Sequence, residues 1–444
     1  MPAATPESTR LSIWQAAQQG QDAAAIAQTL DLPVRTVRHL LQQFRLAGQA
    51  CPPRFEHSGP VRDPAFDALR LQVLKLRQQH RLWGAERILA QLFPTGPIPG
   101  CPDASTVRRW LKQAGLAPAP RPRPPLSTPA PRALAVHEIW PMDACDYKPL
   151  RDPRHRVCWL RLLDEASGAA LFTRVYDQPR WAAVGGAAVQ AALRQAFDCW
   201  GRPLGLRVDN GNPWVCPDSD LPTDLELWLA GLGVVLHKGR PHVPQDNPRA
   251  ERGQRTGQCW AEPWQHDSAE QLQRRFDEED RIHREVYLFD GKQTRLQAYP
   301  ELHLGGRAYA AGPYWEAVCW DYQQALQRLG QLELTRKVDK SGCVSLYDHR
   351  VAVGMPLCGQ EVAVHFDTAS QEWVVCQAGV QLRRCLAANL SAENICTLRV
   401  GRRPGRSAEQ TRRRRAARAE AVPGRAEAAV LVPASAGRGG EGRS

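Results

Sequence analysis

Seven prolines fall between Ala117 and Ala133, and no feature constrains the folding of this chain more. Proline holds φ near −65° and lacks an amide donor, so a run this dense is neither helix nor central strand. It reads as an extended, semi-rigid spacer over 117–133, and any hydrophobic core must lie to one side of it. The far end is marked as clearly. Residues 401–444 hold 11 Arg and no Lys against 4 Glu, and such a tail is expected to be disordered. A chain of 444 residues broken in this way has room for two to four domains.

Ahead of the spacer the apolar residues recur at helical spacing. Over 9–50 the pattern predicts one helix containing Leu11, Ile13 and Trp14, a second over 22–30, and a third over 34–46. Asp22 suits a helix cap and Pro33 a helix start. Val37, Leu40, Leu41 and Phe44 would face inward, leaving Arg35, Thr36, Arg38 and His39 outward. That is a helix-turn-helix layout, with its third helix suited to a DNA major groove. A second unit is expected over 63–116. Its last helix follows Asp103 and would present Ser105, Thr106, Arg108 and Arg109.

Charge adds less than it first suggests. The formal net charge is +12, but +7 of it lies in the tail, and 51 of the 58 cationic residues are Arg. A GC-rich genome explains that bias as well as phosphate recognition does. The 13 cysteines form no Cys-x-x-Cys pair, which excludes a zinc motif of the usual spacing. With no signal-like start and no apolar run of membrane length, a cytoplasmic chain with reduced thiols and no membrane partner is expected.

Beyond the spacer, residues 134–265 carry an α/β rhythm. Strands are predicted over 138–147, 157–164 and 169–176, then a helix over 181–200 and a strand over 204–209. A helix over 223–232, a strand over 234–237 and a helix from 248 complete it. Three strands followed by helix–strand–helix–strand–helix is the ribonuclease-H-like order. A helical extension over 266–331 follows, then short alternating strands over 332–386 that suggest a small β-barrel.

Three carboxylates stand out on this frame. Asp143 ends the apolar run Trp140-Pro141-Met142, Asp209 lies in Val208-Asp209-Asn210-Gly211, and 42 residues further on comes Glu251 in Arg249-Ala250-Glu251-Arg252. Transfer of a phosphodiester needs a nucleophilic oxygen, an in-line leaving oxygen and neutralised charge at phosphorus. Two Mg²⁺ ions held by a few carboxylates meet those needs. Asp146 competes with Asp143 for the first position, and Asp164 ends the second strand. Each residue also has an ordinary reading: Asp209-Asn210-Gly211 as a tight turn, Glu251 as a helix-start acid, Asp143 as a strand end.

Taken together these blocks resemble a known family. Trp140-x-x-Asp143, Val208-Asp209-Asn210-Gly211 and Gly239-Arg240-Pro241-His242-x-Pro244-Gln245-x-Asn247-x-Arg249-Ala250-Glu251-Arg252 are similar to the three blocks of the retroviral-integrase-type catalytic core. Bacterial insertion-sequence and Mu-like transposases are the kin it resembles most. Val338-Asp339-Lys340-Ser341-Gly342 and Gly359-Gln360-Glu361-Val362 resemble the small barrel that follows the core there.

The resemblance implies a DDE-type recombinase that cuts and joins double-stranded DNA, transposon ends to target, as a homo-oligomer. It implies Asp143, Asp209 and Glu251 as catalytic residues and ligands of Mg²⁺ or Mn²⁺, two ions in all. It also implies Arg240, Arg249 and Arg255 along the DNA path. The chain departs from the family in the long gap before Glu251, in Pro248 where Gly is common, and in having no zinc-binding amino terminus. A catalytically silent DNA-binding regulator and a nuclease that cuts without joining are the alternatives.

Overall fold

The computed structural model describes residues 5–51, 64–96, 98, 100–117, 133–209, 211, 213–214, 220–239, 247–310, 312–347 and 349–401. The spacer, apart from its two end residues, and the tail beyond Gly401 lie outside them. So does Arg240. The chain divides into two compact units, residues 1–81 with 106–118, and 82–105 with 119–444.

The first unit opens with three helices, α1 (Glu7–Gln18), α2 (Ala23–Thr29) and α3 (Val34–Ala47). Ile13, Ile26, Val37, Leu40, Leu41 and Phe44 form their core, as the helical spacing predicts. Asp22 accepts a bond from the Ala25 amide at 2.7 Å and starts α2. Gly48 ends α3 at φ 71°, a backbone state that glycine takes without a Cβ penalty. The unit continues with α4 (Pro64–Gln79). Phe66 on α4 meets Trp110 edge-on at 5.2 Å, on a helix spanning Ala104–Gln113.

The expected second helical unit, 63–116, is therefore divided. The helix α5 (Ala85–Leu92) belongs to the larger unit, and we number Ala104–Gln113 α6. The reason is electrostatic. Arg87 on α5 is 1% exposed and reaches Glu279, itself fully buried, at 2.5 and 2.7 Å. Its guanidinium lies over the Trp83 ring at 4.0 Å, and the Trp83 indole donates to the Trp260 carbonyl at 3.3 Å. A buried cation demands a buried partner, and the partner here is 192 residues away.

The larger unit is built on five strands. They are β1 (Ile139–Pro149), β2 (Arg156–Leu163), β3 (Ala170–Tyr176), β4 (Gly205–Val208) and β5 (Val235–Lys238). The spatial order is β3-β2-β1-β4-β5, with the first three antiparallel and β1, β4 and β5 parallel. The intervening helices are α7 (Gly186–Trp200) and α8 (Asp224–Gly231), followed by α9 (Pro248–Ala261) and α10 (Ala269–Glu285). The element order expected from the sequence is the order observed. One boundary moves: residues 181–183 form a separate 3₁₀ turn before α7.

Alternation along the strands sorts the side chains to two faces. Trp140, Met142, Leu160, Leu162, Leu206 and Val208 join one apolar cluster with Leu193 and Phe197 of α7 and Trp228 of α8. Val157 and Trp159 point the other way, to Ala261, Leu272 and Phe276 beneath α9 and α10. α9 lies close on that face because its inner positions are small. A Cβ at Gly253 would stand 2.5 Å from Leu163 Cδ2, and one at Gly257 would stand 2.7 Å from Arg161 Nη1.

Short helices over 295–330 lead to a second set of strands. β6 (Leu334–Lys337), β9 (Glu361–Asp367), β10 (Glu372–Gln377) and β11 (Val380–Leu386) form an antiparallel sheet in the order β11-β10-β9-β6. β7 (Cys343–Leu346) and β8 (His349–Ala352) pair separately as a hairpin. Among the described residues this is a four-stranded sheet with a hairpin, where the strand spacing predicts a small barrel. Val344, Val364, Phe366 and Trp373 share the apolar cluster of the main core. The order also continues past the expected end at 386. A short helix, Ala392–Cys396, packs back, and the Val400 amide reaches Asp224 at 3.0 Å. No described helix is long and apolar enough to cross a membrane.

Candidate functional site

Strand register brings the first two carboxylates together. β1 and β4 run parallel with Pro141 opposite Arg207, so two more residues along each chain set Asp143 beside Asp209. Asp143 is half-buried on the α9 face of the sheet, and Asp209 is exposed just past the end of β4. Glu251 is exposed on the first turn of α9, the helix that covers that same face.

Their charges are felt mutually. The Asp143 carboxyl is pushed up to about 6, first by burial and then by the negative charges of Asp209 and, more weakly, Glu251. Its cross-strand partner gives no relief. Arg161 pairs with Asp143 in register, but its guanidinium goes to Asp280 at 2.7 Å and to the Thr173 hydroxyl at 2.8 Å. Among the described residues, the Asp143 carboxyl is raised by two neighbouring carboxylates, a charge that a divalent ion would neutralise. The donors are all carboxylate oxygens, which suit Mg²⁺ or Mn²⁺. Among the described residues, no three His, Cys, Asp or Glu side chains are already gathered as an ion cage.

The competing carboxylates have other duties. Asp146 accepts from the Trp181 amide and caps the 3₁₀ turn ahead of α7. Asp164 is fully buried and accepts from the His137 amide, the Ser167 amide and the Ser167 hydroxyl, all within 2.8 Å. Asp209 itself accepts from the Gly211 amide at 3.1 Å.

The arginines separate into groups. Arg255 is exposed on α9 one turn after Glu251, as is Arg252 beside it. Arg249 is half-buried and lies over the β2–β3 turn, where a Cβ at Gly168 would stand 2.6 Å from its Nη1. On α3, Arg35 and Arg38 are exposed and Thr36 is half-buried. On α6, Ser105, Arg108 and Arg109 are exposed and Thr106 is half-buried; the Ser105 hydroxyl bonds Asp103 at 2.8 Å.

Three further side chains meet at the site: Asn247, which stands in the third motif block, and Gln254 and Trp159, which the motifs do not contain. Asn247 donates to the Met142 carbonyl at 3.2 Å, Gln254 donates to the Asp143 carbonyl at 2.6 Å, and Trp159 donates to Gln254 at 2.7 Å. A signal is present in the spacing, since positions 247 and 254 are two helical turns apart and share a face.

Retroviral integrases are among the solved structures similar to this chain. The catalytic core domain of BIV integrase is 17% identical, with 37% of this chain and 95% of that chain covered and a TM-score of 0.29. The HTLV-2 integrase catalytic core domain in complex with magnesium is 17% identical over 39% of this chain and 99% of that chain, at a TM-score of 0.28. The simian T-cell lymphotropic virus intasome, in complex with PP2A regulatory subunit B56 gamma, is 12% identical, covering 71% and 99% at a TM-score of 0.32. No family model matches the chain.

Proposed function

We propose that the protein is a DDE-type DNA transposase or integrase, cutting and joining DNA strands at Asp143, Asp209 and Glu251. One observation carries the reading. The middle of β1, the end of β4 and the start of α9 bring three carboxylates of distant sequence close enough that Asp209 and Glu251 raise the Asp143 carboxyl. The motif resemblance around the same three residues supports it.

Asp143, Asp209 and Glu251 would hold the divalent ions, two by analogy with phosphoryl-transfer sites. When bound, the ions supply charge neutralisation at phosphorus and an activated oxygen nucleophile. The chain's own residues do the rest. Asp143 on β1 and Asp209 just past β4 provide an acidic floor, and α9 presents Glu251 at its start. Arg255 and Arg252 stand exposed near Glu251, where guanidinium forks can hold backbone phosphates. Arg35 and Arg38 on α3, with Thr36 beside them, form the first DNA-reading surface in this proposal. Ser105, Thr106, Arg108 and Arg109 on α6 form the second. A homo-oligomer on DNA follows from the need to hold two ends at once.

The test is direct. The purified full chain is incubated with labelled DNA from both flanks of its own gene, a plasmid target and Mg²⁺ or Mn²⁺, beside Asp209→Asn. Joined product from the wild type alone is the expected result. Specific binding with neither nicking nor joining would instead identify a regulator. Nicking alone would identify a nuclease.

A further inference from the structure

Two side-chain amides bracket Glu251 and tie its helix to the Asp143 strand. Asn247 stands four residues before Glu251 and Gln254 three after it. Gln254 Nε2 donates to the Asp143 carbonyl at 2.6 Å, and its Oε1 accepts from the Trp159 indole at 2.7 Å. An indole N–H can only donate and a carbonyl can only accept, so the Gln254 amide has one usable orientation. Trp159 is itself fully buried, with its ring 5.1 Å from that of Phe276, which holds the donor in place.

Asn247 breaks a local rule. At the N-cap of a helix, Asn ordinarily accepts a bond from an amide of its own first turn. Here it makes no such bond; its Nδ2 goes to the Met142 carbonyl at 3.2 Å. Its Oδ1 is buried with no partner among the described residues. A local preference given up without local return is expected where geometry serves the site. The place is telling as well. The β1–β4 pairing ends at Pro141 and Arg207, and Met142 and Asp143 are the next two residues of β1. Where the neighbouring strand stops, α9 takes over as the partner of β1.

We infer that Asn247 and Gln254 are positioning residues: they set the separation of Glu251 from Asp143 by fastening α9 to the β1 backbone. Trp159 acts through Gln254. The inference rests on the reading of Asp143, Asp209 and Glu251 as a divalent-ion site. Both amides bond to backbone carbonyls of β1, so their effect on the ion passes through the placement of the two carboxylates. Losses of this indirect kind weaken metal affinity by about 10–100-fold.

The experiment is a Mn²⁺ titration of the full chain, read as free Mn²⁺ by electron paramagnetic resonance. Wild type would be compared with Gln254→Met, Gln254→Glu, Asn247→Ala, Trp159→Phe, the Gln254→Met/Trp159→Phe double variant and Asp209→Asn, each checked for fold by circular dichroism. Gln254→Glu keeps the shape and the acceptor for Trp159 but loses the donor to Asp143, so it serves if Gln254→Met does not fold. The Gln254 and Asn247 variants are expected to bind Mn²⁺ about 10–100-fold more weakly. Trp159→Phe should weaken binding alone and add nothing in the Gln254→Met background. Wild-type affinity in a folded Gln254→Glu protein overturns the inference, because a merely structural bond would alter stability and leave affinity untouched. If wild type binds Mn²⁺ no better than Asp209→Asn, the ion-site reading itself fails, and that result is distinct from the first.

Discussion

Asp143 and Arg161 face each other across β1 and β2, yet the Arg161 guanidinium is committed to Asp280 and Thr173. The result is a half-buried carboxylate with two acidic neighbours and an occupied cation beside it. A site of this kind costs the folded chain some stability and gains by taking up a cation from solution.

That arrangement has a pH signature. The Asp143 carboxyl rises to about 6 in the folded chain, against about 3.9 in an unfolded one. Below the unfolded value both states are protonated and the effect is absent. As pH rises from there through about 6, the unfolded chain releases a proton that the folded chain retains, so stability falls across that window. Asp143→Asn should therefore melt about 2–4 °C higher than wild type at pH 7.5 without divalent ions, and at the same temperature near pH 4. Added Mg²⁺ should raise the wild-type melting temperature at pH 7.5 and leave Asp143→Asn unmoved. Calorimetry at the two pH values, with and without Mg²⁺, checks both.

Asp209 is exposed, and its carboxylate accepts a bond from the Gly211 amide. Replacing it with Asn keeps that acceptor and removes the charge. Strand joining should fall by about two orders of magnitude or more while DNA affinity and melting temperature stay near wild type. Parallel loss of binding and joining would show Asp209 to be structural.

The close seat of α9 on the sheet depends on Gly253 and Gly257. Alanine at 257 gains about 1 kcal/mol of helix propensity but drives a methyl to 2.7 Å from Arg161 Nη1. Arg161 cannot yield without disturbing its bond to Asp280, so overpacking should win by about 1–3 kcal/mol. Urea unfolding of Gly257→Ala beside the exposed control Arg252→Ala measures this. A control and variant of equal stability would mean that α9 rides higher on the sheet, clear of Arg161.

Arg87 and Glu279 join α5 to the larger unit through a buried pair. Arg87→Met leaves Glu279, among the described residues, with Arg275 at 2.6 Å. Removal of one partner of a buried pair costs about 3–5 kcal/mol, and Arg275 should hold the loss to the low end. Limited proteolysis is expected to cut the variant within 82–105 first, where the wild type resists.

On the DNA-binding side, Arg108→Ala with Arg109→Ala should weaken binding and flatten its salt dependence. For every phosphate that an arginine no longer neutralises, the slope of log K against log salt falls by about 0.9. An unchanged slope removes α6 from the interface.

Much of the fold is legible in the sequence because it is written in local periodicity. Val37, Leu40, Leu41 and Phe44 recur at helical spacing and do form a core. Trp140 and Met142 alternate with Asp143 and do face opposite sides of the sheet. The helix expected over 181–200 begins later than its alanine-rich run suggests, because the run hides a turn whose cap, Asp146, lies 35 residues away.

By itself, then, the sequence determined the element order of the core and its strand and helix periods, but not that Asp143, expected at a strand end, lies within β1. Order and periods follow from side-chain spacing and backbone chemistry within a few residues. Only the tertiary structure decided that α5 leaves its neighbours for Glu279, that Asp146 and Asp164 serve turns, and that Gln254 holds Asp143 from 111 residues away. Those outcomes depend on buried polar groups finding partners, and a buried donor or charge accepts whichever partner the folded chain brings near, at any distance in sequence.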